Sequence, residues 1–125
     1  MTKKCFVPIV LIFSLLLIPS QSHALNLMES FFLKITVHEN NIEYQWEYSS
    51  PGDYEYEKGE KVIKTEEAKQ EMLTIVKQLE LSKEAKVEEM VERLKQERFP
   101  QLERLDIRWM TGDNKLYTWV WDKEK

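Results

Sequence analysis

Few residues of this chain are suited to covalent chemistry. Its single cysteine is Cys5, and its two histidines are His23 and His38. Cys5 and His23 fall in an N-terminal segment with the features of a signal peptide, which leaves His38 alone. A Cys-His pair is then excluded, and a Ser-His-Asp triad would need His38 beside a serine. We instead expect His38 opposite Glu43 on a solvent-facing strand surface and predict no catalytic residue.

One acidic segment has a composition similar to that of a calcium-binding loop. Asp53, Glu55 and Glu57 alternate ahead of Gly59. The glycine comes one position too late, however, and no glutamate stands at the final ligating position. We therefore expect an acidic strand edge, which discourages aggregation, and no metal site.

Cofactor and nucleotide signals are also missing from the sequence. Paired carboxylates for glycoside hydrolysis have no diagnostic weight among 22 acidic residues. Gly52, Gly59 and Gly112 are isolated, so they cannot form a phosphate-binding loop. No cofactor is predicted.

Aromatic side chains are the more informative feature, because the chain has 4 Trp, 5 Tyr and 5 Phe, most of them in predicted strands. Rigid aromatic faces on a sheet can bind sugars, peptides or an apolar partner. The alternative is that they pack beneath helices, which we favour for four of them: Tyr44, Trp46, Tyr48 and Trp109. Tyr54 and Tyr56 are expected to be an exposed pair.

These aromatic residues depend on β-hairpins for their positions. Residues 31–49 alternate with period two on either side of Asn40-Asn41, a dipeptide that favours a two-residue turn. Partner numbers then sum to 81, which places three aliphatic residues opposite three aromatic ones on one apolar face: Leu33, Ile35 and Val37 with Tyr48, Trp46 and Tyr44. A second turn at residues 50–53 and a third strand at residues 54–57 follow.

Two amphipathic helices come next. From Thr65, a plausible N-cap, apolar residues recur with period 3.6 up to Leu79. Ser82 can cap a second helix that ends near Phe99, before Pro100. Strands at residues 105–109 and 116–121 complete the order β-β-β-α-α-β-β. We therefore predict an α+β fold in which an antiparallel sheet is covered on one face by an αα-hairpin.

The loop of the last hairpin decides where two tryptophans lie. A three-residue loop, residues 112–114, places Trp119 and Trp121 on the core face with Trp109, and we favour it because Asn114 tolerates a left-handed backbone. A loop of two or four residues would place Trp119 and Trp121 beside Arg108 as an aromatic and cationic binding strip. With the tyrosines of the third strand, the candidate binding surface comprises Tyr54, Tyr56, Arg108, Trp119 and Trp121.

The N-terminus has the pattern of a secretory signal peptide. Lys3 and Lys4 precede an apolar run over residues 5–18, which is shorter than the ~17 to 25 residues of a membrane-spanning helix. Ser22 and Ala24 then provide the small residues of a cleavage site. We predict cleavage after Ala24 and an exported, cell-envelope-associated protein with one domain over residues 25–125.

The charge of that domain limits its partners. Without Lys3 and Lys4 it has 16 basic and 22 acidic side chains and a formal net charge of −6. Nucleic acids and anionic lipids require clustered lysines and arginines, so no nucleic-acid partner is expected. Contact with a membrane is expected only through an uncleaved signal segment.

Several local features recur in one known family. They are the order of the elements, the helix start Glu67-Ala68 and Glu71-Met72 continuing to Ile75 and Leu79, a second helix ending at Phe99, and the strand Leu105-Asp106-Ile107 followed by a Gly-Asp turn. In these features the chain resembles the YusW-like family of small exported bacterial proteins over nearly all of residues 25–125. The resemblance implies a secreted or surface-held α+β domain, with no catalytic residues to carry over. Some relatives look like lipoproteins, whereas this chain lacks a cysteine after its apolar run.

These observations favour a non-catalytic exported module that binds an extracytoplasmic protein or a cell-wall component. A structural, self-associating surface protein and a small cell-envelope hydrolase are the alternatives. The hydrolase is the weaker one, because the nucleophile, base and metal patterns of such sites are missing.

Overall fold

A six-stranded antiparallel sheet lies at the centre of the fold in the computed structural model, which describes residues 25–125. The strands are β1 (Ser30–Glu39), β2 (Ile42–Ser49), β3 (Asp53–Lys58), β4 (Lys61–Ile63), β5 (Leu102–Thr111) and β6 (Leu116–Asp122). They are arranged in the order β4-β3-β2-β1-β5-β6. Two helices, α1 (Glu66–Leu79) and α2 (Val87–Glu97), connect β4 to β5, and a short 3-10 helix (Leu27–Glu29) precedes β1. The predicted α+β class is confirmed, while the predicted signal peptide, residues 1–24, lies outside the described residues.

The first hairpin has the predicted register. Leu33 pairs with Tyr48, and Ile35 pairs with Trp46. Asn40 and Asn41 have φ angles of 52° and 65°, the left-handed conformations that a two-residue hairpin turn requires at both positions. Alternation and turn chemistry together therefore fix which face of this hairpin enters the core.

The last hairpin also has the register that we favoured. Ile107 pairs with Trp119 and Leu105 with Trp121, as a three-residue loop over residues 112–114 requires. Asn114 takes the expected left-handed conformation, with φ of 65°. The alternative strip, with the two tryptophans beside Arg108, is therefore wrong.

The structure adds one strand that was not predicted. β4 has only three residues, too few to show a period-two pattern, and it pairs with β3 through a tight turn in which Gly59 has a φ of 61°. The observed order of elements is therefore β-β-β-β-α-α-β-β.

Both helices pack on the same face of the sheet. Thr65 is the N-cap residue of α1, as predicted. The prediction for Ser82 is wrong, because α2 begins at Val87 with Lys86 in the N-cap position. The physical reason lies in the connection, where Glu80 turns left-handed (φ 53°) to end α1 and Leu81 is then buried, 1% exposed, before the chain can restart a helix.

The core lies between this face and the two helices. Trp46, Tyr48 and Trp109 are buried in it, as expected, and Tyr44 is half-buried with its ring edge-on to Phe99 at 5.0 Å. Neither α1 nor α2, the helices of residues 25–125, is long and apolar enough to cross a membrane.

Candidate functional site

The two tyrosines of β3 do not form an exposed pair. Tyr56 is 5% exposed and packs on Trp46, with ring centroids 5.5 Å apart. Tyr54 is half-buried and packs on Tyr48 at 5.0 Å. The prediction of exposure is wrong because the register of β3 against β2 turns both tyrosines toward the helices.

Arg108 lies on the opposite, helix-free face of the sheet. Its side chain is 63% exposed, and its Nε atom is 3.7 Å from a carboxylate oxygen of Asp106. Trp119 and Trp121 are half-buried on the helix side. The sheet therefore separates Arg108 from the two tryptophans, and the five predicted binding residues do not form one surface.

Tyr56 instead belongs to a partly buried polar cluster at the margin of the core. Glu71 Oε1 accepts a hydrogen bond from Trp46 Nε1 (3.1 Å) and another from Arg98 Nη2 (2.8 Å). Burial raises the pKa of the Tyr56 phenol above its usual value near 10, and the Glu71 carboxylate raises it further, while Arg98 opposes the shift. The phenol is therefore protonated at neutral pH and cannot act as a base. The cluster connects α1, β2 and the end of α2.

The histidine considered for catalysis and the acidic residues considered for calcium binding lie on strands of the sheet. His38 Nε2 lies 2.9 Å from Glu43 Oε1, on the strand face where it was expected. Asp53, Glu55 and Glu57 lie along β3, and Glu55 is 3.6 Å from the Lys64 ammonium. Across residues 25–125, no three His, Cys, Asp or Glu side chains are grouped so as to hold a metal ion.

A cleft of about 690 Å³ opens between the β2–β3 turn and the start of α1. Its lining includes Tyr54, Lys64, Glu66 and Lys69. Burial is the main cause that raises the pKa of Tyr54, and Tyr48 and Glu66 add to it. The charges in this cleft are of both signs and face solvent, so they select no particular ligand.

The surface that stands out is the outer edge of β6. Within the part of the chain that the structure describes, β6 pairs only with β5. The Thr111 N–H donates to the Lys115 carbonyl at 2.9 Å, and hydrogen-bonded pairs alternate along an antiparallel ladder. The backbone groups of Leu116, Thr118 and Val120 therefore point away from β5, toward solvent.

An aromatic row borders this edge on the helix side. Tyr117 and Trp119 are stacked, with ring centroids 6.3 Å apart and an interplanar angle of 17°. Trp119 Nε1 donates to the Ala85 carbonyl at 2.8 Å, which fixes the indole beneath the α1–α2 connection. Lys83 lies 5.9 Å from the Tyr117 ring centroid, and Lys95 lies 5.2 Å from that of Trp121. All three rings of the row are half-buried.

Small and aliphatic side chains border the edge on the helix-free side. Leu116 and Val120 are each 55% exposed, and Thr118 between them is exposed as well. We call this whole surface the β6 edge: the outward backbone of Leu116, Thr118 and Val120, their side chains, and the aromatic row of Tyr117, Trp119 and Trp121. Residues 116–121 carry no charge and no proline. Exposed strands usually carry such residues because they prevent pairing with another chain.

The other edge of the sheet is protected in this way. β4 has three residues, and charged residues surround it: Lys58, Glu60, Lys61 and Lys64. A short, charged edge is a poor template for a further strand. The two edges of the same sheet therefore differ in their capacity to accept a partner.

Sequence reasoning singled out Trp119 and Trp121 but missed the edge to which they belong. The signal was present in the uncharged, proline-free run of residues 116–121. What was missing was the strand order, because alternation gives the register of a hairpin and does not give its position in the sheet.

In comparisons with known proteins, no family model, no curated protein and no solved structure matches the chain. The resemblance to the YusW-like family therefore stays a prediction.

Proposed function

We propose that this protein is a non-catalytic binding module that accepts an extended segment of a protein partner along the β6 edge. The observation that carries the proposal is the edge of β6, which is uncharged and has no partner strand within residues 25–125. An added strand would hydrogen-bond to the outward backbone groups of Leu116, Thr118 and Val120, which is the general mode of β-strand addition.

The side chains beside the edge supply selectivity. Because side chains alternate along a strand, every second residue of the bound segment would face the aromatic row, where Tyr117 and Trp119 present half-buried rings. Lys83 and Lys95 lie over the rings of Tyr117 and Trp121 at the two ends of this row. The other residues of the bound segment would lie on the helix-free side, beside Leu116 and Val120. The module is thus suited to segments that alternate apolar residues.

A displayed library of random 12-residue peptides tests this proposal. We expect the wild-type protein to select peptides with alternating apolar residues. We also expect those peptides to slow amide hydrogen exchange at Leu116, Thr118 and Val120, whose N–H groups point away from β5. The Thr118→Pro variant removes one outward N–H without removing a bond to β5 and should lose binding at least about tenfold.

The matched control is Val62→Pro. Val62 is 51% exposed on the opposite edge strand, and this change should leave the binding unaltered. Peptides that bind Thr118→Pro as tightly as wild type, or that protect amides elsewhere, would contradict the use of this edge. Failure of the protein to select any peptide at concentrations where it is monomeric would contradict it equally.

A further inference from the structure

We infer that the segment accepted by the β6 edge is the β6 strand of a second copy of this chain. This inference rests on the proposed function, because it assumes that the edge pairs with an extended strand. It commits to a symmetric, antiparallel homodimer in which two six-stranded sheets join edge to edge.

Only every second residue of β6 directs its backbone N–H and C=O groups outward, and this limits the registers that two β6 strands can adopt. The outward residues of β6 are even-numbered, namely Leu116, Thr118 and Val120, so paired residues must have numbers with an even sum. A sum of 236 places Thr118 opposite Thr118 of the second copy, on the two-fold axis. It also places Leu116 opposite Val120 of the second copy, and the reverse.

The side chains favour this register on both sides of the strand. On the helix-free side, Leu116 and Val120 are each 55% exposed and would cover one another. Apolar pairs and Thr–Thr pairs are among the cross-strand pairs that stabilise antiparallel strands. On the helix side, Tyr117 would lie opposite Trp119 of the second copy, and aromatic pairs also stabilise strands.

Neighbouring registers are less favourable. A sum of 238 would place Leu116 opposite Asp122, an aliphatic side chain against a carboxylate. A sum of 234 would place Leu116 opposite Thr118 and leave Val120 opposite Asn114, in the loop. With a sum of 236, no two like charges face each other between residues 115 and 121, although the domain as a whole is acidic.

Pairing at β6 would also protect the sheet from further association. The joined sheet would contain two copies of each strand and would end in β4 on both sides. Each β4 has three residues and lysines around it, so growth stops at the dimer. If β6 paired instead with a different strand of a second copy, the β6 strand of that second copy would remain a long, uncharged, open edge.

A charge-swap experiment at the two-fold axis tests this inference. The protein is produced from its full 125-residue sequence, so that any processing occurs, and its mass is measured by sedimentation equilibrium over a range of concentrations. We expect wild type to show a monomer–dimer equilibrium. Thr118→Lys and Thr118→Glu should each raise the dimer dissociation constant at least about tenfold, because like charges then face each other at the axis.

Mixing the two variants should restore association, because lysine then lies opposite glutamate. Thr118 also pairs with Arg108 on β5, so the glutamate variant gains an intramolecular neighbour and the lysine variant a repulsive one. The mixture is therefore compared with each variant alone. Val62→Lys and Val62→Glu, on the opposite edge, are the controls and should leave the wild-type equilibrium unchanged.

Three results would overturn the inference. They are a wild-type protein that stays monomeric at all concentrations, a dimer that neither Thr118 variant weakens, and variants that associate no better when mixed. The first result combined with selection of foreign peptides that protect the Thr118 amide would leave the proposed function intact. A wild-type protein that neither selects peptides nor self-associates would remove both proposals.

Discussion

Tyr56 shows how a single residue depends on the register of its strand. We predicted from the sequence that Tyr56 is exposed, and residues 54–57 alternate as a strand requires. The alternation was correct, but it does not say which of the two faces enters the core. The length of the β2–β3 turn decides which face enters the core, because it pairs Tyr56 with Trp46. The residues Ser50, Pro51 and Gly52 do not by themselves indicate that length.

The burial of Tyr56 predicts a loss of stability in alkaline solution. The pKa of Tyr56 in the folded protein is raised above the usual value near 10. The stability that the protonated phenol contributes is therefore fully present below pH 10 and is lost as the pH rises through the folded-state pKa. Tyr56→Phe should therefore lose less unfolding free energy between pH 9 and about pH 11.5 than wild type does. Urea denaturation at a series of pH values measures this difference.

At neutral pH the same substitution should cost only about 1 kcal/mol, because it removes one polar group from the cluster with Glu71 and Arg98 and leaves the buried ring in place. Tyr44→Phe, which removes a hydroxyl from a half-buried ring on the neighbouring strand, is the control for loss of a phenol from the same face. Identical pH profiles for wild type and Tyr56→Phe would show that ionisation of Tyr56 is not coupled to unfolding.

At the scale of elements, the hairpins were predictable and their assembly was not. The period-two alternation and the Asn40-Asn41 turn gave the first register, and Asn114 supported the last one. β4 was not predicted because three residues are too few to show an alternation of apolar and polar residues. The position of β6 at the edge of the sheet was not predicted, because strand order depends on long-range packing and local sequence patterns do not encode it.

The last hairpin predicts a specific cost for Trp119→Ala. Its indole is half-buried on the core face and donates a hydrogen bond to the Ala85 carbonyl. Truncation should lower the free energy of unfolding by about 2 to 3 kcal/mol, somewhat less than the ~3 to 5 kcal/mol of a fully buried tryptophan. Chemical denaturation at low protein concentration, where a dimer would not contribute, measures this change.

Leu116→Ala is the matched control for Trp119→Ala. Leu116 lies on the same strand, but its side chain is 55% exposed, so its truncation should change stability by less than about 0.5 kcal/mol. A loss below about 1 kcal/mol for Trp119→Ala would mean that the indole contributes no more than an ordinary surface residue. The aromatic row would then be a free binding surface and not a part of the core.

At the scale of the whole molecule, residues 25–30 make hydrogen bonds that connect them to the rest of the fold. The Leu25 N–H donates to the Leu81 carbonyl at 3.1 Å, next to the end of α1. Asn26 then caps the short 3-10 helix, and Ser30 accepts a hydrogen bond from Trp109 Nε1 at 2.8 Å. Residues directly after the predicted cleavage site are therefore part of the packed structure.

This arrangement is compatible with a new N-terminus at Leu25. A free ammonium group there can still donate to the Leu81 carbonyl, which lies near the C-terminal end of α1, where the helix dipole favours a positive charge. Ser22 and Ala24 supply the small residues that a signal peptidase requires. We therefore expect the protein recovered outside the cytoplasm to begin at Leu25.

Intact mass and N-terminal sequencing of the exported protein check this expectation. Ala24→Lys replaces the small residue next to the predicted cut and should cause the uncleaved chain to accumulate, whereas Asn26→Ala, two residues beyond the cut, should leave processing unchanged. Recovery of the intact 125-residue wild-type chain from membranes would contradict cleavage and would make residues 1–24 an anchor. In that case the β6 edge would act beside a membrane surface, and two copies held in one plane would pair at a lower total concentration than free ones, because anchoring raises their effective concentration.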